Sequence, residues 1–205
     1  MSDIAVAHFS SPFITAYPWS SGFGTKYTNP GTLPTGGSNQ VDFSPDGNDI
    51  AASHSVTPFV TAYPWSSGFG TKYTNPGTLP TGEGYGVSFS PDGNDIAVAH
   101  ANSPTITTYP WSSGFGTKYT NPGILPNFTG LGVSFSPDSN NIAVSHDNTP
   151  FITTYPWSSG FGTKYTNPGT LPTSLGFGVA FRPLPASGFT PNPLMQMRMM
   201  ATGMV

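Results

Sequence analysis

Four histidines recur at one offset: His8, His54, His100 and His146. Imidazole is a common metal ligand and titrates near neutral pH, so four evenly spaced copies could form a metal site or a pH switch. Each follows an alternating Ile-x-Val-type run, which puts it on the same strand face as the apolar residues. No thiolate or carboxylate ligand set accompanies it. These histidines read as structural repeat positions, and no metal or other cofactor is implied. Asp46, Asp92 and Asp138, with Asp49 and Asp95 three residues on, could hold calcium, but Asn141 breaks the series. Their place beside Pro and Gly suits a turn, where Asp bonds its own backbone.

Nucleophilic and acid–base chemistry find little else. The chain has no cysteine, no G-x-S-x-G elbow, and only 9 acidic residues, mostly in turns. The expectation is a protein that is not an enzyme. A net charge of -3, with 6 basic residues, excludes the basic footprint of a nucleic-acid binder. No apolar run approaches the length of a membrane span, and the N-terminus lacks the pattern of a secretory signal.

The elements that carry these residues are set by repetition. The string YPWSSGFGTKYTNPG begins at Tyr17, Tyr63, Tyr109 and Tyr155, a period of 46 residues. Such periods mark solenoids and propellers. Each repeat holds four short strand-like segments. The first is QVDF, GVSF, GVSF or GVAF. After an SPDG-type turn comes the Ile-x-Val-x-His run, then PFITAY or a variant. The fourth lies in TKYTNPGTLP, which its prolines demote to an edge strand. Helical spacing is absent, so the chain reads as all-β.

The copies VDFSPDGNDIAAS, VSFSPDGNDIAVA and VSFSPDSNNIAVS, from Val41, Val87 and Val133, resemble the first hairpin of a WD-repeat blade. The Trp-Asp dipeptide of that family is missing, and Tyr-Pro-Trp stands in its place. The longer string YPWSSGFGTKYTNPGTLPTG resembles repeat proteins encoded by tailed phages of aquatic bacteria. The resemblance implies a β-propeller, and four copies of every strand type predict four blades over residues 1–183. The chain opens inside a blade and carries an orphan first segment, Gly178–Phe181, after the fourth repeat. That strand is expected to pair with the N-terminal blade and close the ring within one chain. Pairing with a neighbouring chain, as an eight-bladed dimer or an open chain of blades, is the competing arrangement.

Trp19, Trp65, Trp111 and Trp157 sit in a loop rich in Phe and Tyr, and the expectation is that they pack between blades. The loops entering the first strand differ between copies and open on one face. Tyr85, Phe128, Leu131, Leu175 and Phe177 on that face are the candidate partner-binding residues. Residues 184–205 hold five of the six methionines. They read as a docking tail through Leu194, Met195, Met197, Met199, Met200 and Met204, because Met makes adaptable apolar surface. The functional expectation, drawn from the phage resemblance, is a non-enzymatic structural or decoration protein of a virion. Its partners would be protein, either self or other virion proteins. One alternative is a recognition module for a host-surface glycan or receptor; another is a cellular scaffold propeller.

Overall fold

Alternating apolar runs bounded by Gly and Pro turns become short antiparallel strands, and their spacing repeats from sheet to sheet. A computed structural model describes residues 2–183, so the methionine-rich segment of the sequence reading lies outside the described residues. Eleven strands are present: β1 (Ser2–Ala7), β2 (Ile14–Trp19), β3 (Ser38–Phe43), β4 (Asp49–His54), β5 (Val60–Pro64), β6 (Gly84–Phe89), β7 (Asp95–His100), β8 (Ile106–Pro110), β9 (Gly130–Phe135), β10 (Asn141–His146) and β11 (Ile152–Pro156). They form one two-stranded sheet, β1-β2, and three three-stranded sheets, β3-β4-β5, β6-β7-β8 and β9-β10-β11. The inner strands β3, β6 and β9 follow one another side by side. Small antiparallel sheets stacked in series like this are a propeller-like arrangement. Among the described residues no helix is long and apolar enough to cross a membrane.

Two expectations are corrected. The TKYTNPGTLP segment is not a strand. It makes one ladder-type bond per repeat, such as Tyr73 N to Ala62 O at 2.9 Å and Tyr119 N to Thr108 O at 3.0 Å. Prolines on the far side remove the donors that would extend the pairing. The orphan segment 178–181 is likewise not a strand, and β1 pairs with β2 alone. The expected closure within the chain is therefore absent from the pairing. The 178–181 segment instead runs beside β9, where the Cβ direction of Gly132 comes within 3.0 Å of Gly178 Cα.

The core lies between sheets. Ile14, Ala16, Ile50, Ala52, Tyr63 and Trp65 fill the first junction, and equivalent residues fill the next two. Sheets of so few strands gain stability from such neighbour contacts rather than alone. At the strand entry the backbones approach closely. A Cβ on Gly130 would lie 2.3 Å from Thr105 O, and one on Gly84 would lie 2.4 Å from Phe59 O. Backbone cannot yield as a flexible side chain does, so Gly130→Ala is expected to cost about 1–3 kcal/mol, in the range of overpacking. Urea denaturation would measure it against Gly123→Ala, whose Cβ meets nothing within 4 Å.

Candidate functional site

The four repeats are nearly identical, so a site with a chemical direction must come from the places where they differ. The clearest lies on the inner strands. Each of β3, β6 and β9 shifts register near its start, between Ser38 and Gln40, Gly84 and Gly86, and across Ser145/His146 for β9. A bulge re-aims the extra side chain, here Asn39, Tyr85 or Leu131, and is a common device next to functional sites. Further along, β3 carries Gln40 and Asp42 where β6 has Gly86 and Ser88 and β9 has Gly132 and Ser134.

These differences gather polar groups along the facing edges of β3 and β6. Asn39 Nδ2 donates to Gly84 O at 2.8 Å and to Glu83 Oε1 at 3.3 Å. The Tyr85 hydroxyl donates to Glu83 Oε2 at 3.2 Å. Val87 N donates to Gln40 Oε1 at 3.3 Å, and Phe89 N donates to Asp42 Oδ2 at 2.8 Å. Burial pushes the Asp42 carboxyl up to about 6, although hydrogen bonds from the Phe89 and Phe43 backbone N–H groups work against the rise. Burial also raises the Tyr85 phenol, helped by the negative charges of Glu83 and Asp147. The strip from Asn39 to Asp42 is roughly 10 Å long at the rise of an extended chain. That is long enough for one sugar-sized ligand.

The other sequence-nominated residues lie elsewhere. His54, His100 and His146 are fully buried on the middle strands, with Nε2 against Thr61, Thr107 and Thr153 hydroxyls at 2.9, 2.8 and 3.0 Å. His8 is half-buried on the open N-terminal sheet. Burial pushes His54 down to about 4 and lowers His100 and His146. Among the described residues no group of three or more His, Asp or Glu gathers as a metal site. Asp46 and Asp92 hold their turns, accepting Ser44 and Ser90 hydroxyls at 2.6 Å.

Trp65, Trp111 and Trp157 are buried between sheets, whereas Trp19 is 39% exposed. Sequence reasoning missed their partners. Asp3 Oδ2 accepts from Trp65 Nε1 at 2.9 Å, Asp49 Oδ2 from Trp111 at 2.9 Å, and Asp95 Oδ2 from Trp157 at 2.8 Å. The other oxygens accept from Tyr27, Tyr73 and Tyr119 hydroxyls at 2.8, 2.7 and 2.8 Å. Each carboxylate is a clamp that joins two sheets. The signal available was the shared offset of Asp3, Asp49, Asp95 and Asn141, but the clamps cross repeat boundaries.

On the variable face, Tyr85 and Leu131 occupy the bulges, while Phe128 is exposed beside a groove lined by Asn102, Ser103, Leu125 and Asn127. Leu175 and Phe177 are exposed on the C-terminal side. Tyr85, Leu131 and Phe177 stand one repeat apart beside Gly86, Gly132 and Gly178, whose backbones approach so closely that a Cβ on either of the first two would lie 3.0 Å from the next glycine's Cα.

No family model matches the chain, and no curated protein matches it. Solved structures do. A protein from Lactobacillus plantarum aligns with 79% of this chain and 50% of its own, at 16% identity and a TM-score of 0.59. A "putative 6-phosphogluconolactonase" from Bacteroides uniformis aligns with 77% of this chain and 48% of its own, at 15% identity and 0.57. One of the same description from Bacteroides fragilis aligns over 65% and 38%, at 16% and 0.53. At these identities the likeness shows the fold, an all-β propeller-like arrangement. The chain spans about half the length of the first two structures it resembles.

These findings correct the functional expectations. Nothing in them supports a phage, virion or WD-repeat link. The reading of a non-enzymatic structural protein is overturned by solved structures of this fold that carry an enzyme's name. The sequence differences between copies extend past the loops entering the first strand into the inner strand itself, where Gln40 and Asp42 face Gly86 and Ser88 in the next copy. An active site in a repeat fold can sit where one copy departs from the others, as Gln40 and Asp42 do.

Proposed function

We propose that the four sheets are consecutive propeller blades, and that the chain is a hydrolase opening small neutral lactones along the facing edges of β3 and β6. The observation that carries this reading is the half-buried Asp42 carboxyl, which stands on an inner strand where the next two copies have Ser88 and Ser134 and accepts from Phe89 N, with burial pushing its pKa up to about 6. A base with a pKa near neutral combines a high ionised fraction with real proton affinity. In the reaction a water oxygen bonds to the lactone carbonyl carbon while Asp42 takes the water proton. The ring C–O bond then breaks, and the ring oxygen leaves as a hydroxyl carrying that proton. The product is an open-chain hydroxy acid. Asn39, Gln40 and Glu83 are placed to meet sugar hydroxyls.

The likeness to structures named as lactonases supports the reaction class, and charge modifies the substrate. Asp42 and Glu83 line the site, Asp147 adds negative charge at Tyr85, and no lysine or arginine bonds to these groups among the described residues. A phosphorylated lactone would be repelled there, so the preferred substrate is the unphosphorylated sugar lactone. Asp42→Asn is expected to lower kcat by roughly 10²–10⁴-fold, the usual contribution of a general base. The check is hydrolysis of glucono-1,5-lactone and of its 6-phosphate by both forms. Equal rates for Asp42→Asn and the native chain, or preference for the phosphate, would reject the reading.

A further inference from the structure

Three sheet junctions inside the chain share one construction. At each, a Trp packs edge-on against a Tyr from the preceding repeat and a Phe of its own inner strand. Trp65 meets Tyr27 and Phe43 at 5.2 Å each, Trp111 meets Tyr73 and Phe89 at 5.4 and 5.1 Å, and Trp157 meets Tyr119 and Phe135 at 5.3 and 5.4 Å. The Trp donates to the clamp carboxylate, and the Tyr two residues before it donates to a loop carbonyl. Tyr63 reaches Thr32 O at 2.8 Å, Tyr109 reaches Thr78 O at 2.7 Å, and Tyr155 reaches Ile124 O at 2.7 Å.

The two halves of a fourth such junction stand open at opposite ends of the arc. On the N-terminal sheet, Val6 is 43% and Trp19 39% exposed, while Trp65, Trp111 and Trp157 are 3–6% exposed. Neither the Trp19 Nε1 nor the Tyr17 hydroxyl has an acceptor among the described residues, and β1-β2 lacks an inner strand. Three repeats after Tyr27, Phe43, Asp3 and Thr32 stand Tyr165, Phe181, Asn141 and Thr170. Tyr165 is 48% exposed, and Ile152 is half-buried where Ile14, Val60 and Ile106 are fully buried. An open groove runs along Ile152, Thr154, Tyr165 and Pro168. Asn141 Oδ1 accepts from Tyr165 at 3.0 Å and keeps a lone pair for a second donor.

We propose that two copies of this chain close one ring of eight sheets, each copy contributing its four. The N-terminal edge of each docks on the C-terminal edge of the other. Trp19 of one copy seats between Tyr165 and Phe181 of the second and donates to its Asn141, while Tyr17 donates to its Thr170 carbonyl. Segment 178–181 supplies the inner strand that β1 lacks. A second copy is the occupant because both halves of the junction are written on this one chain in the chemistry of its three internal junctions. Two copies give two identical junctions and leave no edge open.

Light scattering on the full chain at tens of micromolar tests this. The expected mass is twice 21.5 kDa. Trp19→Glu and Phe181→Glu are each expected to reduce it to one copy, with strand content by circular dichroism unchanged. Mixing the two variants restores the two-copy mass, because one keeps an intact C-terminal edge and the other an intact N-terminal edge. On dilution of the native chain, loss of mass and a rise in acrylamide quenching of tryptophan should coincide, a readout that needs no variant. A native mass of one copy, a mass above two, or a two-copy mass that survives both substitutions would overturn the proposal.

Discussion

Asp95→Ala is expected to destabilise the protein by about 3–5 kcal/mol. The side chain is 3% exposed and accepts from Trp157 Nε1 and the Tyr119 hydroxyl at once. Its removal leaves two donors without an acceptor at a sheet junction, and each unmet buried donor costs about 1–3 kcal/mol. Asp95→Asn keeps one oxygen at the same place. Asn141 already fills the equivalent position and holds Tyr165 at 3.0 Å, so the Asn form is expected to lose less than half as much. Stability in stacked repeats is carried by neighbour interfaces. Hydrogen exchange in Asp95→Ala should therefore rise first in β9–β11, the sheet that the clamp ties to the rest. Uniform exchange across all sheets, or equal losses for Ala and Asn, would show that the clamp does not join the sheets.

Acid is expected to destabilise the protein between about pH 6.5 and 4. His54 is fully buried and its pKa falls from 6.5 to about 4, so below pH 6.5 the unfolded chain binds the proton first. The stability linked to it is complete above 6.5 and lost as pH falls toward 4, about 3 kcal/mol in all. His100 and His146 act in the same direction. Asp42 acts oppositely. Its folded pKa is raised from 3.8 to about 6, so acidification through that window favours the folded state by a similar amount, reduced by its partial exposure. One carboxyl offsets one histidine, and the remaining two decide the sign. Melting temperature should fall from pH 7 to 4.5, and it should fall more steeply in Asp42→Asn. A flat profile in the native chain, or an unchanged slope in the variant, would contradict the assignment of these groups.

The fold was legible where periodicity carried it. Ile-x-Val alternation and SPDG turns gave the hairpins of β3-β4, β6-β7 and β9-β10, and the 46-residue spacing gave sheets in series. Legibility failed where a residue's partner lay in another repeat. Tyr73 carries β-type chemistry but forms one ladder bond, because its prolines stop the pairing. Asp49 looked like a turn residue, yet it holds Trp111 from the next repeat, 62 residues away. Closure by 178–181 depended on curvature, which strand counting does not contain. The candidate site was visible only as a mismatch, Gln40 and Asp42 against Gly86 and Ser88. A search for repeated catalytic residues passes over such a mismatch, and the rise in the Asp42 pKa comes from burial that sequence does not display.

The most direct test of the site is the pH dependence of kcat/KM for a neutral sugar lactone, since that ratio reports groups of the free enzyme. The rate is expected to climb through an apparent pKa of about 6 and then level, as Asp42 ionises. The climb should vanish with the activity in Asp42→Asn. A rate no greater than buffer hydrolysis, or a profile that keeps its rise in Asp42→Asn, would contradict the assignment of Asp42 as the base.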